Sequence, residues 1–383
     1  MSTYTKHSKE ANQKVQQDLD KVIPIIVKEI NPISIILFGG FGKGEGIVEV
    51  KNNKITPMND YDMYVVTKTN LDDDFLDKVA DKCAQAINKG GLDFVEHAGK
   101  EYNRDDFFHV DLRNLNYNKI KKLLPTQRTY ELKNGSQIIY GEDVRYLIPN
   151  VKVEVSDGIR ILFNKMDHIL MAKGQKNHEI KLIYTVKAYT DLCSALLMFK
   201  NDFAGTYTER NNRIKKHSFP QELKDKIDWA TEFRNNPDFN IKNIDKELET
   251  AQQWVAYAFK YILKKHLNLK DDNWETIADA VYNKLPLTYF TPYIPHKSMF
   301  LAQYYLNIKY TLNCWRKGEK IIKPLLDWRD VGLKVAIPLF LYLYGEKELA
   351  EKYLKKVSSK TQPLKQRVLD LYGYYYLQRL IWY

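Results

Sequence analysis

The chain has 383 residues, 44% apolar and 28% charged, with a formal net charge of +11. That composition excludes a disordered chain and fits two or three globular domains with real cores, while the basic balance favours anionic partners such as nucleotides, nucleic acid or an acidic lipid face. Cys83, Cys193 and Cys314 are widely spaced without a CxxC pair, which excludes a disulfide framework and a structural zinc site and suits a cytoplasmic protein.

The chain opens on an amphipathic helix, with Val15, Leu19, Val22, Ile23, Ile26 and Ile30 at helical spacing and Pro24 as a candidate kink. Asn31-Pro32 ends it. Residues 33–38 form a short β-branched run that reads as a buried strand, and it passes into the glycine-rich stretch 39–46. Residues 47–50 and 54–56 flank Asn52-Asn53 as a hairpin. A second core strand is expected over 61–66, a helix over 74–88, and a further strand over 107–112. In that last strand Phe108, Val110 and Leu112 face one side, and His109 and Asp111 the other. From Asp157 onward Ile159, Leu162, Phe163, Met166, Ile169 and Leu170 begin helical patterning that continues to the end. The expected organisation is an α+β domain over 1–155 and a helical domain over 156–383, punctuated by loops near 201–221, 235–243 and 286–297. The apolar runs at 33–38 and 335–344 fall short of the 20 or so residues that span a bilayer, and the polar residues 1–14 show no signal peptide, so no membrane association is expected.

Asp60 and Asp62 stand two residues apart at the start of an apolar strand, which puts both carboxylates on one face. Two anions on one face repel, and burial sharpens the repulsion, so the arrangement calls for cations. Asp111 on another strand completes a cage suited to Mg²⁺, which takes oxygen ligands and keeps substrate phosphates in its shell. Asp105 and Asp106 lie before the alternation and read as a strand-entry turn. Gly39 and Gly40 let backbone N–H groups approach phosphate oxygens, and Lys43 is a candidate phosphate cation. The stretch is neither a Walker A motif, since Gly44 follows Lys43, nor a dinucleotide fingerprint, since it leads into a hairpin.

Leu37-Phe38-Gly39-Gly40, Asp60-Tyr61-Asp62-Met63 and Val110-Asp111-Leu112 together resemble the DNA polymerase β-like nucleotidyltransferases. The resemblance covers residues 33–112, with a longer spacer than usual before the first Asp and Gly40 in place of the more frequent Ser. It implies a mixed sheet with flanking helices, followed by an all-helical domain that completes a nucleotide and acceptor cleft. It implies two Mg²⁺ or Mn²⁺ ions, both held by Asp60 and Asp62 and one also by Asp111. It further implies transfer of a nucleoside monophosphate from a triphosphate such as ATP to a hydroxyl, with release of pyrophosphate. The acceptor stays open between a small molecule, a protein and RNA, as does oligomer formation. A defence or toxin–antitoxin type enzyme acting on RNA or protein, and an inactive nucleotide-binding scaffold, are the alternatives.

Other residues carry two readings each. Tyr184 and Lys187, in a helix expected over 177–199, are candidates for contact with the nucleotide because similar enzymes use a helix there. His109 reads as a supporting or packing residue rather than a ligand, and Glu45 as a hairpin surface residue rather than a fourth anion near the site. Arg210-Asn211-Asn212 and His217 resemble the Arg…His pair of helical nuclease-type domains found with small nucleotidyltransferases, but the polar segment reads as a solvated loop. Tyr304, Tyr305 and Tyr310 read as core or groove lining, and Tyr374-Tyr375-Tyr376 with Trp382 as packing or a dimer contact.

Overall fold

The computed structural model describes residues 3–52, 54–91, 106–283, isolated residues between 301 and 318, and residues 331–356, 358 and 362–371. Asn53, Asp105, Tyr310, Cys314, the loop 286–297, Tyr374-Tyr375-Tyr376 and Trp382 lie outside the described residues. The architecture is α+β, with a mixed four-stranded sheet near the N-terminus and a largely helical remainder.

Helix α1 (Lys9–Ile30) starts where the Ser8 side chain accepts from the Ala11 N–H and runs through Pro24. It ends at Asn31, whose φ of +50° is the left-handed conformation that asparagine tolerates at a helix stop. Strand β1 (Ser34–Leu37) leads into a single helical turn, α2 (Gly39–Gly42). The hairpin of β2 (Val48–Lys51) and β3 (Lys54–Pro57) turns at Asn52, φ +50°, and pairs Lys51 with Lys54 as the Asn-Asn signal predicts. Strand β4 (Tyr61–Thr67), helix α3 (Asp73–Ala86), the short β5 (Gly90–Gly91) and β6 (Phe107–Phe108), and β7 (Val110–Asn116) follow. The single strand expected over 107–112 is thus two strands broken at His109. Helix α4 (Gln127–Asn134) and β8 (Gln137–Gly141) complete the sheet, whose order is β7-β4-β1-β8. β1 runs antiparallel to both β4 and β8, while β4 and β7 are parallel.

Alternation along the strands separates two cores. On the back face Ile35, Leu37, Tyr61, Met63, Val65, Val110 and Leu112 pack with Val15, Leu19 and Val22 of α1 and with Leu76, Val79 and Cys83 of α3. On the front face Ile36, Phe38, Tyr64, Val66 and Leu115 pack with Leu132 of α4. Each fully buried aliphatic side chain contributes about 1.5–3 kcal/mol, so both faces are firmly set. The front core covers only part of its face and leaves the N-terminal ends of β4 and β7 to polar side chains.

The helical remainder comprises α5 (Val155–Gly174), α6 (His178–Phe199), α7 (Tyr207–Ile214), α8 (Gln221–Asn235), α9 (Ile244–His266), α10 (Trp274–Asn283), α11 (Val331–Leu343), α12 (Lys347–Leu354) and α13 (Leu364–Leu371). Helix α7 occupies the stretch expected to be a loop over 201–221; the Thr206 side chain caps it by accepting from the Glu209 N–H. α6 is long and apolar enough to cross a membrane, and most of it is buried inside the protein.

Two compact units emerge, Met1–Val153 with Met171–Glu249, and Glu154–Leu170 with Thr250–Tyr383. This differs from the boundary expected at 155/156, because α6, α7 and α8 belong with the sheet. The reason is packing: α6 contacts α7 and α8, and side chains from these helices are buried against residues of the sheet half, as described below. In the second unit Phe259 and Phe340 stack with centroids 4.2 Å apart, Phe163 meets both edge-on, and Trp274 stacks on Tyr344 at 5.0 Å. Tyr304 and Tyr305, expected to be buried or to line a groove, are exposed. Among the described residues of that helical stretch Asn307 and Thr311 are buried, joined by a bond from the Thr311 hydroxyl to the Asn307 carbonyl.

Candidate active site

In the parallel pair β4–β7, Asp62 and Asp111 are direct register partners. Neighbouring strands lie about 4.8 Å apart, so the two carboxylates leave the front face side by side. Asp60, one pleat repeat before Asp62, shares that face. Reduced hydration and the negative charges of Asp60 and Asp111 push the Asp62 carboxyl up to about 7, against the opposing pull of Arg113 and His109.

An arginine and a histidine answer this charge. Arg113, one pleat repeat beyond Asp111, places Nε at 2.8 Å and Nη2 at 2.7 Å from the same oxygen, Asp111 Oδ2. His109 Nδ1 lies 3.7 Å from Asp60 Oδ2. Burial disfavours its charged form, yet Asp60, Asp111 and Asp62 together hold its pKa above the ordinary imidazole value.

The glycine turn closes over the carboxylates. Gly39 has φ +68°, and a β-carbon there would overlap the Asp62 carboxylate. The Phe38 N–H donates to the Asp62 carbonyl at 2.9 Å, which locks the end of β1 to the start of β4. A β-carbon on Gly40 would lie 2.9 Å from Asn59 Oδ1 and 3.2 Å from Arg234 Nη2. Gly39 therefore needs glycine for its backbone angle and close approach, whereas a side chain at Gly40 would have to displace the ends of Asn59 and Arg234.

Beyond the turn lies a buried set of charges. Lys43, expected to reach a phosphate, is almost fully buried, with Nζ 3.0 Å from Glu131 Oε2 and 5.0 Å from the centre of the Tyr207 ring. Its charge is already met by protein, as a buried ammonium requires. Glu131 also takes Arg210 of α7, which donates further to Ser194 Oγ and the Ala204 carbonyl. Burial would raise the Glu131 carboxyl, but Lys43 and Arg210 pull it down to about 2. Arg210, expected in a solvated loop, is fully buried, because Glu131 compensates it. Of its expected companions, Asn211 is also buried and donates to Asp228, while His217 stands 2.9 Å from Asp202.

Glu45, expected on the surface, is buried too. Its carboxylate accepts from the Tyr207 N–H at 2.6 Å and the Thr208 N–H at 2.9 Å, answering donors in the first turn of α7 that have no helical partner. Arg234 of α8 is buried over the Tyr207 ring at 3.9 Å and donates through Nη2 to the Glu45 carbonyl at 3.3 Å; its Nε has no partner.

Comparison with known protein families and with curated proteins finds no match to this chain.

Asp60, Asp62, Asp111, Gly39 and Gly40 meet around one corner of the sheet. Tyr184 and Lys187 lie one turn apart on α6, half-buried, while the helical side chains seen against the glycine turn come from α7 and α8. Sequence reasoning passed over Arg113, although its period-two relation to Asp111 was visible. Glu131 and Arg234 carry no local signal at all. Among the described residues no three carboxylate, imidazole or thiolate groups are already gathered as a metal cage. The donor set nonetheless fits Mg²⁺ or Mn²⁺: hard carboxylate oxygens on adjacent strands, one of them held half-buried against like charge.

Two outcomes test this description. Glu131→Gln leaves two buried cations unpaired and should cost about 3–5 kcal/mol in urea denaturation at pH 7. Because the folded carboxyl titrates below the unfolded one, the loss should shrink as pH falls from 5 towards 2. Asp62→Asn relieves like-charge crowding and should raise the melting temperature in metal-free buffer; a lowered value would count against the repulsion.

Proposed function

We propose that this chain is a metal-dependent nucleotidyltransferase of the DNA polymerase β-like superfamily, with its catalytic centre at Asp60, Asp62 and Asp111. The supporting observation is the register of β4 and β7, which makes Asp62 and Asp111 partners on one face beneath the glycine turn. The mixed sheet and the Gly-Gly turn after β1 agree with that family's pattern, and helices α6–α8 pack in the same unit as the sheet.

Asp60 and Asp62 would hold two divalent ions and Asp111 one of them; the ions supply charge stabilisation to the entering and leaving oxygens and activate the acceptor hydroxyl. The absence of side chains at Gly39 and Gly40 lets a triphosphate lie close to the backbone. Arg113 holds Asp111 by one oxygen and fixes the direction of its carboxylate. The new bond joins the acceptor oxygen to the α-phosphorus, the bond to the β-phosphate oxygen breaks, pyrophosphate leaves, and the hydroxyl proton passes to Asp111. The acceptor class follows from the chemistry only as far as a hydroxyl group on a small molecule, a protein or an RNA.

Incubation of the protein with Mg²⁺ or Mn²⁺, each labelled triphosphate and cell lysate should release pyrophosphate and label one acceptor. Asp62→Asn and Asp111→Asn should each lower the rate at least about 100-fold, roughly 3 kcal/mol of barrier. Unchanged turnover in both variants would discard the assigned centre. With Mg²⁺ present, a triphosphate should raise the melting temperature more than a monophosphate does, since only the former reaches both ions.

A further inference from the structure

The front face beside the carboxylates carries a second feature. Phe38, just past the end of β1, and Tyr64, at the middle of β4 and one pleat repeat beyond Asp62, form an aromatic pair with centroids 4.7 Å apart. Arg128, in the first turn of α4, lies 5.9 Å over the Phe38 ring and is half-buried. Tyr64 is the register partner of Arg113, the arginine that grips Asp111 Oδ2. Arg128, Arg113, Asp111 and Asp62 all act electrostatically on the Tyr64 hydroxyl, whose pKa burial raises.

Arg128 differs from the other arginines around the site. Arg113 is bonded to Asp111, Arg210 to Glu131, and Arg234 to the Glu45 carbonyl. Among the described residues Arg128 has no carboxylate or carbonyl partner; its guanidinium carbon lies 5.9 Å from the centre of the Phe38 ring, and its charge also acts on the Tyr64 hydroxyl. A guanidinium braced on an aromatic ring keeps its in-plane N–H fork open, which is the geometry that takes a phosphoryl group by two parallel hydrogen bonds. Removing part of its hydration by half-burial strengthens any such bond. The same helix seals its inner side with Leu132 and pairs Glu131 with Lys43 and Arg210, so its core contacts are made by other residues.

We propose that Arg128, braced on Phe38 and flanked by Tyr64 and Arg113, forms a seat for a phosphoryl group of a substrate beside the catalytic carboxylates. The inference rests on the transferase reading only for which substrates are offered to it; the seat itself is a property of the arginines and the ring. Two sources share the chemistry: the tail of the triphosphate, and a phosphate group on the acceptor.

Binding is measured by calorimetry and thermal shift on the full chain, on Arg128→Gln and on Arg128→Lys. Because Arg128 makes no ion pair among the described residues, the unliganded melting temperature of Arg128→Gln should stay near that of the unsubstituted protein. Inorganic phosphate in metal-free buffer should bind the unsubstituted protein and weaken at least about tenfold in Arg128→Gln, with partial recovery in Arg128→Lys. Two further titrations then locate the source: a metal-bound triphosphate alone, and glycerol 3-phosphate added over a saturating, non-hydrolysable triphosphate. A loss confined to the triphosphate assigns the seat to its tail; a loss confined to glycerol 3-phosphate assigns it to a phosphorylated acceptor. Phosphate affinity that is undetectable in the unsubstituted protein, or equal in Arg128→Gln, overturns the seat. Since the phosphate titration uses neither metal nor turnover, a failure of pyrophosphate release would leave its result unaffected, and the reverse also holds.

Discussion

Like-charge crowding across one parallel strand pair governs this corner of the protein. β4 and β7 hold Asp62 and Asp111 in register on the front face, with Asp60 close by, and hydrogen bonding along the ladder prevents the backbones from separating to relieve the repulsion. The neighbourhood is built to tolerate that charge. Arg113 and His109 stand on the same strand or at its entry, each directed at one of the outer carboxylates, and the central Asp62 is left with the greatest burden. Gly39 follows from the same constraint, because any side chain at that position would fall on the Asp62 carboxylate.

The glycine turn also has to be held still, and a buried ionic set does this. Lys43 and Glu45 leave the turn in opposite roles: Lys43 reaches Glu131 of α4, while Glu45 caps the start of α7. Arg210 joins α7 to Glu131, and Arg234 brings α8 onto Tyr207 and the Glu45 backbone. Such buried charges carry a large desolvation cost, and a hydrophobic replacement of equal volume would often be as stable. Their directionality is what an apolar contact lacks. Each pair admits one geometry, and together they tie the turn to three helices that come from distant parts of the chain.

This arrangement explains why helices far along the chain belong with the N-terminal sheet. Apolar patterning in α6 shows only that the helix is buried; it does not say against what. The charged residues of α7 and the C-terminal end of α8 determine the partner, and they do so by matching charges that lie on the glycine turn and on α4. The second unit is held differently, by stacked rings such as Phe259, Phe340, Trp274 and Tyr344, whose packing follows from the apolar stripes of their helices.

What local pattern alone determined was considerable. Period-two alternation placed Val110 and Leu112 on the back and Asp111 on the front, the Asn52 turn defined the hairpin, and the i, i+2 spacing of Asp60 and Asp62 put both on one face. These are short-range consequences of backbone geometry, so the residues themselves carry them. Only the tertiary structure decided that Asp62 and Asp111 are register partners, that Lys43 and Arg210 share Glu131, and that Glu45 is buried at a helix start rather than exposed on a hairpin. The same holds for Arg128 over Phe38, 90 positions apart in the chain. The reason is physical: a charged side chain reads as a surface residue until its partner is known, and the partner is supplied by a segment brought near only when the chain has folded.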